Sequence, residues 1–286
     1  MPLDRLVDPA ERHDIARPEP PDAAALALGA RERVLRLAHD KPLHLGAALS
    51  MIDVLAALHV AVLRPAPPSP DGPDRDRLVL SKGHGAYGLY AVLAELGVLQ
   101  GDIGALPGHP CDGIPGVEAA TGALGHGLSL ACGMALGARM SGGDGRVAVV
   151  TGDGELNEGS NWEAAQFAAH HGLDNLLVVV DRNGLQQEGR TEEIAALEPL
   201  GDKWRAFGWH VGEADGHDAA AVSAAAHRLL ERPGPGVLIA RTVKGRGVSF
   251  LEDDPAWHMG QLDDDQLRAA LAELGSGAPR DTGGAA

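Results

Sequence analysis

Cysteine and positive charge are the scarce commodities of this chain. Two cysteines, Cys111 and Cys132, occur in 286 residues, and neither belongs to a CxxC pair. That excludes a disulfide framework and a thiol-rich metal site, suits a reducing cytoplasm, and leaves both thiols as packing residues. Lys and Arg number 24 against 40 Asp and Glu, a formal charge of −16. No basic block offsets it, so binding to nucleic acid or an anionic membrane is excluded as a general role. The first residues, "MPLDRLVDPAERHDIARPEPPDAA", lack the basic start and apolar run of a signal peptide. The longest apolar stretch, 47–63, contains Asp53 and His59, which marks a buried helix and not a membrane span. A soluble, cytoplasmic α/β protein is expected.

What is present is an alternation of two patterns. Residues 24–39 and 47–63 space Leu and Ala at three and four, as helices do. "RLVLS" (77–81), "RVAVVTG" (146–152), "NLLVVVD" (175–181), "WHVGEAD" (209–215) and "GVLIART" (236–242) read as strands. Helical segments separate them, including 127–140 with its Gly and Ala and the run "EGSNWEAAQFAAHHG". Continuous apolar strands separated by helices predict a parallel sheet covered on both faces. "RPAPPSPDGPDRD" (64–76) predicts an exposed loop. Residues 101–127 hold eight glycines and three prolines, a loop long enough to be functional. The tails, 1–22 and 275–286, are rich in Pro, Gly, Ala and charge and are expected to be flexible, leaving one domain over 23–274.

In an open parallel sheet, ligands bind beyond the carboxyl ends of the strands. "VVTGDGELNEGSNWEAAQFAAHHGLDNLLVVVDRNGLQ" (149–186) places Asp153 after one strand and Asn183 after the next. A carboxylate, a carboxamide and a backbone carbonyl are hard oxygen ligands of the kind Mg²⁺ takes beside phosphate. Gly152 and Gly154 allow close approach of backbone, and the following helix can aim N–H groups at a diphosphate. Taken alone, "TGDG" is more readily a tight turn.

The wider wording settles on a family. "GDGELNEGSNWEAA", "DNLLVVVDRNGLQ", "SKGHG", "PGVEAATGALGHGLSLACGMA" and "RTVKGRGVSF…WH", spread over residues 25–262, resemble transketolase, and in particular the N-terminal subunit of split, two-component transketolases. The resemblance implies the PP-type thiamine-diphosphate-binding fold and the cofactors thiamine diphosphate and Mg²⁺. It implies Asp153, Asn183 and the Leu185 carbonyl as metal ligands. His84, Gly122, Ala123, Leu124, Asp153, Gly154, Glu155, Asn183 and His258 would contact cofactor. His44, His109 and His258 would face the sugar, and Glu158 would be the buried Glu that couples paired sites across a subunit interface. His59, His170, His171, His210, His217 and His227 are expected to be structural, Trp162 to be core, and Lys82 and Lys244 to be either phosphate-facing or solvated.

Two positions depart from the family. His44 stands in "LHLG" where long-chain transketolases have Gly-His-Pro-Gly, and His126 stands where a Gln is usual. The family's pyrimidine-binding domain, with the Glu that activates the cofactor and the arginines for substrate phosphate, has no counterpart here. The resemblance therefore implies two-carbon ketol transfer from a ketose to an aldose in carbohydrate metabolism. The implied partner is a separate C-terminal subunit, in an α2β2 heterotetramer. Gly133 and Ala165 are expected on the surface where two copies of this chain meet. The alternatives are another thiamine-diphosphate-dependent ketol or acyl transferase subunit of specialised metabolism, or a non-catalytic binding or regulatory subunit.

Overall fold

The computed structural model describes residues 22–64, 72, 74–187 and 189–275. The two expected tails and most of the expected 64–76 loop lie outside the described residues. Asp22 caps the first helix, α1 (Ala23–Asp40), by accepting the Ala25 N–H. After it come α2 (Leu45–Ser50), α3 (Ile52–Ala57) and a π-helical turn, Leu58–Val62. Strand β1 (Arg77–Leu80) leads through a 3-10 turn at Gly83–Gly85 into α4 (Ala86–Glu95). Next are α5 (Gly127–Met140), β2 (Val147–Gly152), a 3-10 turn at Gly154–Asn157, α6 (Gly159–His170) and β3 (Leu176–Arg182). A small antiparallel pair, β4 (Leu185–Gln186) and β5 (Gly189–Arg190), precedes α7 (Thr191–Ile194) and α8 (Leu200–Ala206). The chain closes with β6 (His210–Asp215), α9 (Ala219–Leu230), β7 (Gly236–Arg241), a 3-10 turn at Pro255–His258 and α10 (Asp264–Gly275).

Five strands form one all-parallel sheet in the order β1-β2-β3-β7-β6. Every residue of β2 is buried, as are the first six of β3 and the first five of β7, which is why these strands show no polar alternation. Edge strand β6 is only partly covered, and its sequence carries His, Glu and Asp. One apolar core lies between the sheet and α1–α4 with α9; a second, on the other face, gathers α5, α6 and Trp204 with Trp209. The expected two-faced α/β architecture is the one observed.

Two expectations need correcting. The 47–63 segment is not one helix. Ser50 turns its hydroxyl toward Asp181 at 2.6 Å, Met51 adopts φ −103° and ψ 1°, and the run breaks into α2, α3 and the π turn. Ala165 is not at a surface either: it is fully buried in the second core, and its carbonyl accepts the Trp209 indole N–H at 2.9 Å. Gly133 is open, with nothing within 4 Å of where a Cβ would stand. Trp162 is half-buried, stacks on Phe207 and donates its indole N–H to the Leu156 carbonyl. No helix among the described residues is long and apolar enough to cross a membrane.

Candidate active site

Four neighbouring strands end on the same side and each delivers a polar side chain at its tip. Beyond β1 comes Lys82, beyond β2 Asp153, at and beyond β3 Asp181 and Asn183, and beyond β7 Thr242 and Lys244. A cleft of about 350 Å³ opens above these tips, lined by His44, His84, Gly122, Leu124, Asp153, Gly154, Glu158, Asn183, Leu185, Lys244 and His258 among others. Parallel sheets gather ligand groups there because all their strand ends and following loops share one edge.

Asp153 is almost fully buried at the cleft floor. Its Oδ1 accepts the Gly154 N–H at 2.8 Å; its Oδ2 accepts the Gly184 N–H at 2.6 Å and Arg182 Nη1 at 3.0 Å. Burial and the nearby Asp181 charge push its pKa up, against the pull of those donors. A carboxylate has about four lone-pair sites, and three are engaged here, which leaves it oriented and still electron-rich. Asn183 donates Nδ2 to Asp181 at 3.2 Å, which fixes its carboxamide, while its Oδ1 accepts the Leu185 N–H at 3.0 Å. Among the described residues no group of three or more His, Cys, Asp or Glu could hold a metal. One carboxylate, one carboxamide and one carbonyl are a different set, oxygen only, and match a hard cation that keeps water and phosphate as its other ligands.

The opposite wall is basic. His44 packs edge-on against His84, His109 and His258, with ring centroids 5.4, 5.9 and 5.2 Å away. Burial foremost, then the charge of Lys82, drives the His84 pKa down to about 2, and burial with Lys244 takes His258 to about 4. His44 is lowered too, by burial and by His109. His44, His84 and His258 are therefore neutral imidazoles at pH 7, able to donate at one nitrogen and accept at the other. His109 stands more exposed, on the 101–127 loop, where its ring faces Gly122.

Close approach explains several glycines. A Cβ on Gly83 would lie 2.9 Å from the backbone of Thr121 and Gly122, so the "SKGHG" and "TGALG" loops touch directly. Gly122 has φ +153°, a value open to glycine, and a Cβ on Gly154 would meet Gln186 at 2.6 Å.

Not every expected residue faces the cleft in the expected way. The Glu155 carboxylate is turned inward, accepting from Ser81 Oγ, from Gly125 N–H at 2.8 Å and from Gly152 N–H at 3.0 Å. It braces the 122–127 loop against β1 and β2, leaving only its backbone for a ligand. Glu158 is exposed in this single chain, at the start of α6 beside Gly125. His126 is exposed as well and lines a second hollow of about 540 Å³ with Ala120, Gly122, Ala123, Ser129 and Leu130.

Sequence reasoning left out Lys82, Lys244, Asp181 and Arg182. Lys82 is 1 % exposed and pairs with Asp181, whose carboxylate also accepts from Ser50, Thr242 and Asn183. Lys244 is 2 % exposed, lies 3.3 Å from His258 Nδ1, and burial with the Lys82 charge lowers its pKa to about 8. Both lysines follow a strand and precede a glycine, the same signal that marks Asp153. Arg182 spans Asp153, Thr191, Glu192 and Glu198, tying the strand tip to α7.

Comparison with known proteins adds the family. A family model described as transketolase, thiamine diphosphate binding domain, matches residues 33–281. One of the two subunits of an apulose-4-phosphate transketolase from Actinobacillus succinogenes is 44 % identical over 255 residues, covering 85 % of this chain and 92 % of that protein. The 6-deoxy-6-sulfo-D-fructose transketolase subunit SqwG of a Clostridium species is 43 % identical, covering 81 % and 88 %. The crystal structure of transketolase from Campylobacter jejuni superposes with a TM-score of 0.77 at 30 % identity, over 88 % of this chain but 42 % of that one. The chain belongs to the transketolase family of transferases, through its thiamine-diphosphate-binding domain and at the length of the family's separate N-terminal subunits.

Proposed function

We propose that this chain holds magnesium and thiamine diphosphate in the cleft and supplies one side of a two-carbon ketol transfer from a ketose to an aldose. The observation that carries the reading is the division of one cleft into an oxygen-donor floor and a wall of lysine and neutral imidazoles. Asp153, Asn183 and the Leu185 carbonyl would hold the cation. Gly154 N–H, His84 and Lys244 would face the diphosphate, and backbone at Gly122, Ala123 and Leu124 would meet the pyrimidine ring. When bound, the cofactor supplies the electron sink that cleaving a carbon–carbon bond beside a carbonyl requires. His44, His109 and His258 remain for the sugar, and their neutral state suits hydrogen bonding to hydroxyls and passing a proton to or from a carbonyl oxygen.

Completion by a pyrimidine-domain subunit is part of the proposal. The relatives of matching length are named as transketolase subunits, and Leu124 and Leu130 are exposed at the hollow beside the cleft. Glu158, exposed here, would be buried by a second copy of this chain in an α2β2 assembly. The ketose is expected to be a specialised one, in keeping with the apulose-phosphate and sulfofructose named for the relatives. The test mixes the purified chain with its complementary pyrimidine-domain subunit and follows cofactor-dependent cleavage of ketose phosphates. Turnover by the mixture, and by neither component on its own, is expected. Thiamine diphosphate binding without turnover on any ketose would favour a non-catalytic binding subunit.

A further inference from the structure

The loop after β7 carries Lys244 into the cleft, and its shape comes from three charged or polar side chains on the far side of it. Asp53 on α3 accepts Arg31 Nη1 at 2.9 Å and, through its other oxygen, both Arg31 Nη2 and His217 Nδ1, the latter at 2.6 Å. All three side chains are nearly buried, at 9 %, 13 % and 10 % exposure for Arg31, Asp53 and His217. Burial alone would raise the Asp53 carboxyl, yet the His217 hydrogen bond and the Arg31 charge hold it well below its ordinary value.

The far ends of these side chains grip the loop. His217 Nε2 accepts the Val243 N–H at 2.9 Å, which makes Nε2 the bare nitrogen and puts the ring proton on Nδ1, facing Asp53. Arg31 Nε donates to the Arg246 carbonyl at 3.2 Å. The two grips bracket Lys244 from either side. Between them the Gly245 N–H donates to the Gly46 carbonyl at 3.1 Å, and Lys244 Cγ passes 3.0 Å from where a Cβ on Gly46 would stand. Gly245, at φ +79°, lets the chain reverse there.

We propose that Asp53, Arg31 and His217 form a positioning clamp that sets the 243–247 backbone, so that Lys244 presents its ammonium to an anionic ligand in the cleft beside His258. His217 acts through the Val243 amide and touches no ligand itself. The orientation of a binding group by buried partners behind it commonly accounts for ten- to a hundredfold in affinity. The ligand half of the clamp rests on the function proposed above; the Lys244 half does not.

The experiment separates them. The chain has four lysines, Lys41, Lys82, Lys203 and Lys244, so reductive ¹³C-methylation of the full chain gives few signals, and Lys244 is assigned by its loss in Lys244→Arg. In His217→Ala the Lys244 signal is expected to move toward the position of an exposed lysine. Magnesium pyrophosphate, the probe, is expected to bind roughly tenfold more weakly by calorimetry. His217→Gln keeps an acceptor for Val243 and is expected to restore both. Should His217→Ala fail to fold, Asp53→Asn, which keeps the shape and removes the charge, takes its place with the same expected shifts. A drop in melting temperature with the Lys244 signal unmoved would overturn the clamp, because a purely structural residue does that. If the signal moves while Lys244→Ala leaves pyrophosphate affinity intact, the clamp stands and the anion-binding reading of Lys244 falls.

Discussion

The floor and the wall of the cleft use burial in opposite senses. On the floor, Asp153 is buried with its charge answered by Arg182 and two backbone N–H groups, and burial still raises its proton affinity. On the wall, burial strips protons from His84 and His258 and weakens the hold of Lys244 on its own. The floor is thus an electron-rich pocket in want of a cation, and the wall a set of bases kept neutral by their surroundings. One low-dielectric cleft produces both because desolvation penalises charge of either sign.

The contrast can be broken most completely at the floor. Asp153→Ala removes the only carboxylate proposed as a metal ligand, and magnesium-dependent binding of thiamine diphosphate should fall below detection by calorimetry. The circular dichroism spectrum should be retained, since Arg182 keeps Glu192 and Glu198 as partners. Next in size is the pair beneath both regions. Asp181→Ala strands the Lys82 ammonium in the interior and should cost about 3–5 kcal/mol in denaturant unfolding. The double variant Lys82→Met with Asp181→Asn should recover much of that, because no lone charge then remains.

Smaller effects sharpen the wall. With Lys244 lowered to about 8, pyrophosphate affinity should decline as pH rises from 7 to 9 and its ammonium is lost. Lys244→Met should be weaker throughout and show a flatter profile in the same titration. The smallest effect is on stability in mild acid. An unfolded His takes up its proton near pH 6.5, whereas folded His258 waits until about 4. Between those values the unfolded state binds more protons, so stability falls as pH falls through that window. His258→Asn should lessen the slope of melting temperature against pH between 6.5 and 4.

Much of the fold was legible because its strands are covered on both sides. "VAVVTG" and "LLVVVD" have no polar face to write into the sequence, and their tips are marked by the change to Gly, Asp and Asn. The helix at 127–140 was legible to the residue. The break at Met51 was not, since its cause is Asp181, more than a hundred residues away, reaching Ser50. Asp153, Asn183 and the loop histidines could be read from motif and strand-end position. Lys82 and Lys244 could not be told from solvated cations, because their burial depends on Asp181 and on the loop over Gly46. The inward turn of Glu155 depends likewise on Ser81 and Gly125, from two other segments.

The Asp181 carboxylate receives donors from α2, from the ends of β1 and β7, and from its own strand's loop, through Ser50, Lys82, Thr242 and Asn183. The same oxygen atoms that align the ligand groups are thereby among those that knit the sheet's upper edge. A lineage of this chain that abandoned the reaction could not erode that apparatus gradually and keep a sound fold; it would have to rebuild the junction with compensating apolar residues in a concerted change.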